Sequence, residues 1–169
     1  MLFACLQEHR KGTNVEEKDL FYMQMALKEA EKALKIGEVP IGTVIVWDDG
    51  RVVGTGYNTR ETKKCALHHA EIKAIEEACR TLGGWRLHKA TLYVTCEPCP
   101  MCAGAIMNAR VRRVVYGCKD PKAGAYGSIF SLNDFPVNHK PEVVCGVCER
   151  ESADLLKTFF ETLREPNNK

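Results

Sequence analysis

The sequence predicts an α/β fold, a central mixed five-stranded sheet with helices on both faces. Three observations lead there. Apolar residues switch along the chain between helical steps of three and four and the compact β-branched runs of strands. The two kinds of segment alternate, as they do when helices cover a sheet. Finally, 169 residues, 45% hydrophobic and 27% charged, suffice for a single domain with a sizeable core.

Leu20, Met23, Leu27, Ala30 and Leu34 form the apolar face of a first helix that stops at Gly37. The stretches 41–47 and 52–57 read as strands. The Asp-Asp-Gly at 48–50 between them has turn chemistry, which predicts a hairpin. A second helix is expected over 69–82, with Ile72, Ile75, Cys79 and Leu82 on one stripe and Gly83 and Gly84 as its stop. Residues 91–95 read as a strand, 99–109 as a helix, 113–117 and 142–145 as strands, and 149–163 as the last helix. No repeat, low-complexity tract or linker interrupts the series.

The formal charge of +2 is too small, and its signs too well mixed, to argue for or against a nucleic-acid partner. The N-terminal MLFACLQEHRKGTN has neither a long apolar stretch nor a small-residue cleavage site, and no run of the chain is long enough to span a membrane. A cytoplasmic location is therefore expected, without a membrane partner. In a reducing compartment an odd number of cysteines, nine here, reads as metal, catalysis or buried thiols rather than cross-links.

The segment TCEPCPMCAGA, residues 95–105, places Cys99 and Cys102 where a strand ends and a helix begins. Pro98 and Pro100 are tolerated there because a first turn leaves its NH groups unpaired. A spacing of three sets both sulfurs on one side of the turn, and the positive end of the helix favours thiolates. Two thiolates fill half of a tetrahedral zinc site. A redox dithiol or two packed thiols fit the same spacing.

Among five histidines, His69 stands apart, because His69 and Glu71 bracket a single alanine at another strand-to-helix junction. Both junctions should converge outside the strand ends, where α/β sheets usually bind ligands. Alone, His69 reads as an ordinary half-buried histidine and Glu71 as a first-turn carboxylate. Beside the cysteine segment both of those plain readings lose their force, and His69 becomes the candidate third ligand. A fourth cysteine ligand would make the zinc structural and inert; three ligands leave a position for water. Cys145 and Cys148 repeat the spacing but have no partners nearby and read as packed thiols, as do Cys96 and Cys118. Cys5, Cys65 and Cys79 read as packing or surface residues.

The H-x-E of residues 69–71 and the P-C-x-x-C of 98–102 resemble the known signature of zinc-dependent nucleobase deaminases, the cytidine deaminase-like superfamily. EVPIG at 38–42, Asn58, TLYVT at 91–95, RVVYG at 113–117, DPKAGAYGS at 120–128 and Asn138-His139 resemble, more narrowly, the bacterial tRNA-specific adenosine deaminases. The resemblance implies a three-layer fold and one Zn2+ per subunit held by His69, Cys99 and Cys102. It implies zinc hydroxide as the nucleophile at C6 of adenine and Glu71 as the proton shuttle. It also implies a homodimer that converts adenosine 34, the wobble base of a tRNA anticodon stem-loop, to inosine.

On the same resemblance, substrate contacts are expected from Asn58, Ala70, Asp120, Lys122, Ser128, Asn138 and His139. Arg164 is a candidate phosphate contact at the end of the last helix. Each has a plainer reading: a turn asparagine, a surface loop, a solvated arginine. The expected organisation is an N-terminal extension at 1–15, a deaminase domain at 16–165 and a tail at 166–169. A deaminase of free bases or nucleosides, and a zinc-stabilised tRNA-binding module without turnover, are the competing functions.

Overall fold

The computed structural model describes residues 15–164. The expected extension, apart from Val15, and the tail lie outside the described residues, as does Cys5. The elements, in order, are α1 (Glu17–Lys35), β1 (Gly42–Val46), β2 (Val52–Tyr57), α2 (Ala70–Leu82), β3 (Thr91–Cys96), α3 (Pro100–Asn108) and β4 (Arg113–Cys118). A 3₁₀ turn (Leu132–Asp134), β5 (Glu142–Cys145) and α4 (Glu149–Arg164) complete the series. The sheet order is β2-β1-β3-β4-β5. The hairpin β1/β2 and the pair β1/β3 are antiparallel, whereas β3/β4 and β4/β5 are parallel, so the sheet is mixed as expected.

Strand alternation sorts the core into two layers. Ile45, Leu92, Val94, Val114 and Tyr116 face α2 and α3, where Ala74, Ala78, Ala103 and Ile106 meet them. Val44, Val46, Tyr93, Val115 and Val144 point the other way, onto Met23, Ala26 and Leu27 of α1, with Leu155 of α4 packed alongside.

The second helix differs from its expected stripe. Its fully buried face is Ala70, Glu71, Ala74 and Ala78, while Ile75, Cys79 and Leu82 are only partly buried. The cause is how closely α2 lies on β2. A Cβ on Gly54 would meet the Ala74 carbonyl oxygen at 2.2 Å, and one on Gly56 would meet that of Ala70 at 2.2 Å. Only glycine against alanine permits such an approach, so the larger side chains are displaced to the flank.

Beneath α1, Asp19 and Arg113 form a buried ion pair, Nη1 to Oδ1 at 2.7 Å and Nη2 to Oδ2 at 2.9 Å. The Tyr93 hydroxyl and the Glu16 backbone NH also donate to Asp19, at 2.9 and 2.8 Å. This network ties the start of α1 to β3 and β4.

Candidate metal centre and base pocket

His69 and Cys99 are the N-cap residues of α2 and α3, each with extended backbone (φ −75°, ψ 156° and φ −72°, ψ 170°). An N-cap side chain projects off the helix axis, which is how His69 and Glu71, two positions apart, reach one site despite the helical period. The His69 Nδ1 lies 3.7 Å from the Cys99 Sγ and 3.6 Å from the Cys102 Sγ. All three ligand atoms fall within 4.8 Å of one another, which makes them a group able to hold a metal ion.

The spacing fits zinc. Bonds of about 2.3 Å to sulfur and about 2.0–2.1 Å to nitrogen at a tetrahedral angle require an S···N separation of about 3.6 Å. Without a metal, the Cys102 thiol hydrogen-bonds to Cys99 and, with the neighbouring imidazole, pulls the Cys99 thiol down to about 4. Cys102 is correspondingly held well above the ordinary thiol range by that bond and by burial. Two sulfurs and an imidazole nitrogen facing one point are a donor set that suits zinc.

Glu71 is buried (4% exposed), and burial pushes its carboxyl up to about 7. It lies within hydrogen-bonding reach of the Cys102 thiol. A cleft of about 120 Å³ opens beside it, lined by Val39, Ile41, Asn58, Arg60, His69, Ala70 and Glu71. Asn58, expected to contact substrate, is on that wall. Its Nδ2 donates to the Val39 carbonyl at 3.4 Å and its Oδ1 accepts from the Arg60 NH at 3.2 Å.

The other expected contacts are distributed unevenly. Asp120 and Ser128 belong to a loop that folds back over the start of α3. Asp120 Oδ1 accepts from the NH groups of Lys122 and Ala123, and the Ser128 hydroxyl donates to Glu97. Lys122 is exposed. Asn138 accepts from Arg110 at 2.7 Å, and His139 Nε2 is 2.7 Å from the Val111 carbonyl oxygen. Both therefore sit before β4 and β5, at the sheet end opposite the cluster, about 20 Å away over six strand residues. Arg164 is the exposed last residue of α4.

Val39, Ile41, Arg60, Glu38 and Glu97 were not singled out from sequence. Glu38 (1% exposed) accepts from the Thr62 NH at 2.6 Å and pins the turn carrying Arg60. Its position in EVPIG, an acidic residue leading an apolar run, was the available signal.

Among the described residues, the other cysteines take no part in the cluster. Cys96 and Cys118 are buried opposite each other across β3 and β4, and Cys148 is buried with its Sγ 3.6 Å from Gln24 Nε2.

The MafB19-like deaminase family matches residues 17–164. The chain belongs to that family. The tRNA-specific adenosine deaminase of Bacillus subtilis (strain 168) is 50% identical over 148 residues, 87% of this chain and 91% of the relative. That of Haemophilus influenzae (strain ATCC 51907 / DSM 11121 / KW20 / Rd) is 43% identical, covering 85% of this chain and 83% of the relative. At these identities the deaminase belongs with the tRNA-specific adenosine deaminases. A solved structure from a study of A-to-I editing by tRNA:A34 deaminases superposes with a TM-score of 0.74 at 45% identity, over 80% of this chain and 99% of that one. The guanine deaminase of Nitrosomonas europaea shares the fold (TM-score 0.71, 21% identity, 91% of each chain). No helix among the described residues of the deaminase is long and apolar enough to cross a membrane.

Proposed function

We propose that this deaminase hydrolyses adenosine 34 in a tRNA anticodon stem-loop to inosine, releasing ammonia. The observation that carries the chemistry is the spacing of the His69 nitrogen from the two sulfurs, beside a buried carboxylate on the wall of a cleft. The substrate follows from relatives that match nearly end to end.

Zinc is the metal this donor set suits, held by His69, Cys99 and Cys102; when bound, it supplies the Lewis acidity that makes a water nucleophilic near neutral pH. The chain's own residues do the rest. Glu71, buried on the wall of the cleft beside the cluster, takes a proton from the attacking water, gives it to the adenine N1 as C6 is attacked, and passes the second water proton to the departing ammonia. Val39, Ile41 and Ala70 present apolar surface to the base, and the free capacity of the Asn58 amide faces its polar edge. An anticodon loop suits the cleft, because its bases are already unstacked and can be turned outward.

Residues 16–165 form the working domain in this reading, a reducing cytoplasm is its location, and a homodimer is its assembly.

The test is direct. Purified protein is incubated with an anticodon stem-loop carrying A34, with the same RNA carrying G34, with free guanine and cytosine, and with adenosine, and inosine and ammonia are measured. Inosine from the A34 stem-loop alone is expected. Turnover confined to free bases would replace this reading with a small-molecule deaminase, and RNA binding without ammonia would replace it with a binding module.

A further inference from the structure

Glu97 stands between β3 and the metal-binding turn, and it is a buried carboxylate (3% exposed) that makes no ion pair among the described residues. Its charge is met entirely by one loop. Oε1 accepts from the NH groups of Tyr126 at 3.0 Å and Ser128 at 3.1 Å, and Oε2 accepts from the Asp120 NH at 3.2 Å and from the Ser128 hydroxyl. Gly124 lies flat on the carboxylate, where a Cβ would come 2.4 Å from Cδ. The next residue adds a second tether, Ala125 NH to the Pro98 carbonyl at 3.0 Å.

Four donors from residues 120–128 thus converge on a side chain two positions from Cys99. A buried charge satisfied only by backbone NH groups and one hydroxyl is costly unless all of them stay in place, so the loop has one geometry or none. Beside the cleft, Glu38 plays a related part, accepting from the Thr62 NH and holding the turn that carries Arg60. A carboxylate is needed rather than an amide. The side-chain amide of glutamine would turn its NH2 toward at least one backbone NH and leave donors facing donors.

We propose that Glu97 is a positioning residue, a latch that fixes the 120–128 loop against the metal-binding turn and thereby sets the surface this loop offers to RNA. This rests on the reading of an RNA substrate for its second half only; the latch itself is a statement about the loop.

The experiment compares wild type with Glu97→Gln and Glu97→Asp, the latter keeping the charge on a shorter arm. Amide hydrogen exchange is read residue by residue, zinc content is measured after dialysis, and kcat and KM are determined on the A34 stem-loop. In Glu97→Gln, exchange at Asp120, Tyr126 and Ser128 should rise at least about tenfold, with the Thr62 amide and β3 unchanged. KM should rise about tenfold while kcat falls less than about threefold and zinc stays bound, with Glu97→Asp between the two. Unchanged exchange in the loop overturns the latch. Loss of zinc in both variants overturns it too, since Glu97 would then be serving the metal turn. Loosened amides with an unchanged KM overturn the RNA-positioning role. If wild type does not deaminate the stem-loop at all, the substrate reading falls, and the exchange data still decide the latch.

Discussion

Gly56→Ala is a one-methyl change whose consequence can be worked through to the metal. Gly56 lies in β2 under the first turn of α2, and its added Cβ would meet the Ala70 carbonyl oxygen at 2.2 Å and the Ala74 nitrogen at 2.9 Å. Both are helix backbone, which has no rotamer to turn away. Ordinary contact for such a Cβ starts at 3.4 Å, so the turn must retreat by about 1.2 Å. That turn carries His69 and Glu71. The His69 nitrogen is 3.6 Å from the Cys102 sulfur. A metal on the straight line between them could bridge at most about 4.4 Å, the sum of its two bond lengths. A retreat of about 1.2 Å directed away from the sulfurs gives about 4.8 Å, beyond that limit. The expected result is zinc loss on dialysis, a kcat at least about 100-fold down where metal is resupplied, and a stability cost of about 1–3 kcal/mol. Gly54→Ala is the comparator. Its Cβ meets the Ala74 oxygen at 2.2 Å, one turn further from His69, so it should cost similar stability but retain zinc. Metal content, thermal melts and inosine kinetics on both proteins decide the matter. Full zinc and kcat within about threefold in Gly56→Ala, or equal zinc loss in both variants, would refute the reasoning.

Glu71→Gln preserves shape and removes the proton carrier; it should retain zinc and RNA affinity and lower kcat by about 10²–10⁴, and turnover at the wild-type rate would remove Glu71 from the mechanism. Cys102→Ser should release zinc, read by metal analysis after dialysis, because a neutral hydroxyl replaces a buried soft ligand. Asp19→Ala should destabilise the fold by about 3–5 kcal/mol in denaturant melts, since the buried Arg113 guanidinium would lose both of its hydrogen bonds to the Asp19 carboxylate. The Asp19 pair also carries a pH signature. Burial alone would raise the Asp19 carboxyl, but hydrogen bonds from Arg113, the Glu16 NH and Tyr93 hold it below its ordinary value. Its stabilisation is therefore complete above about pH 4 and is lost as pH falls through the depressed value, so an acid melt of Asp19→Asn should be shallower below about pH 4 than that of wild type.

What could be read in the sequence and what could not divide along one physical line. The sheet, the helices and their order were legible because each depends on a local period, and their ends lie within one or two residues of expectation except at the start of α1. The clustering of His69, Cys99 and Cys102 was legible because Cys99 and Cys102 share a turn and His69 has the same strand-to-helix setting, so two local patterns sufficed. The apolar stripe of α2 was misjudged because β2 contributes glycines where a larger residue would have held the helix off. Ile72 and Ile75 carry the stronger hydrophobic signal, but Ala74 and Ala78 occupy the contact.

Glu97 left no trace in the sequence, and Glu38 none beyond its place at the head of EVPIG, for a related reason. A buried acidic residue has no periodic signature, and its donors are backbone NH groups of any residue type, 23 to 31 positions away for Glu97 and 24 for Glu38. Side-chain chemistry at the cleft is therefore written in the sequence, whereas the placement of the loops around the cluster, its rim, depends on carboxylates whose partners appear only once the loops are closed. This is why the metal cluster and the rim are separable in experiment. Substitutions at His69, Cys99 or Cys102 should move metal content, while those at Glu97 should move loop exchange and KM with the metal in place. A variant of Glu97 that lost zinc before it loosened the loop would show that rim and centre are one unit.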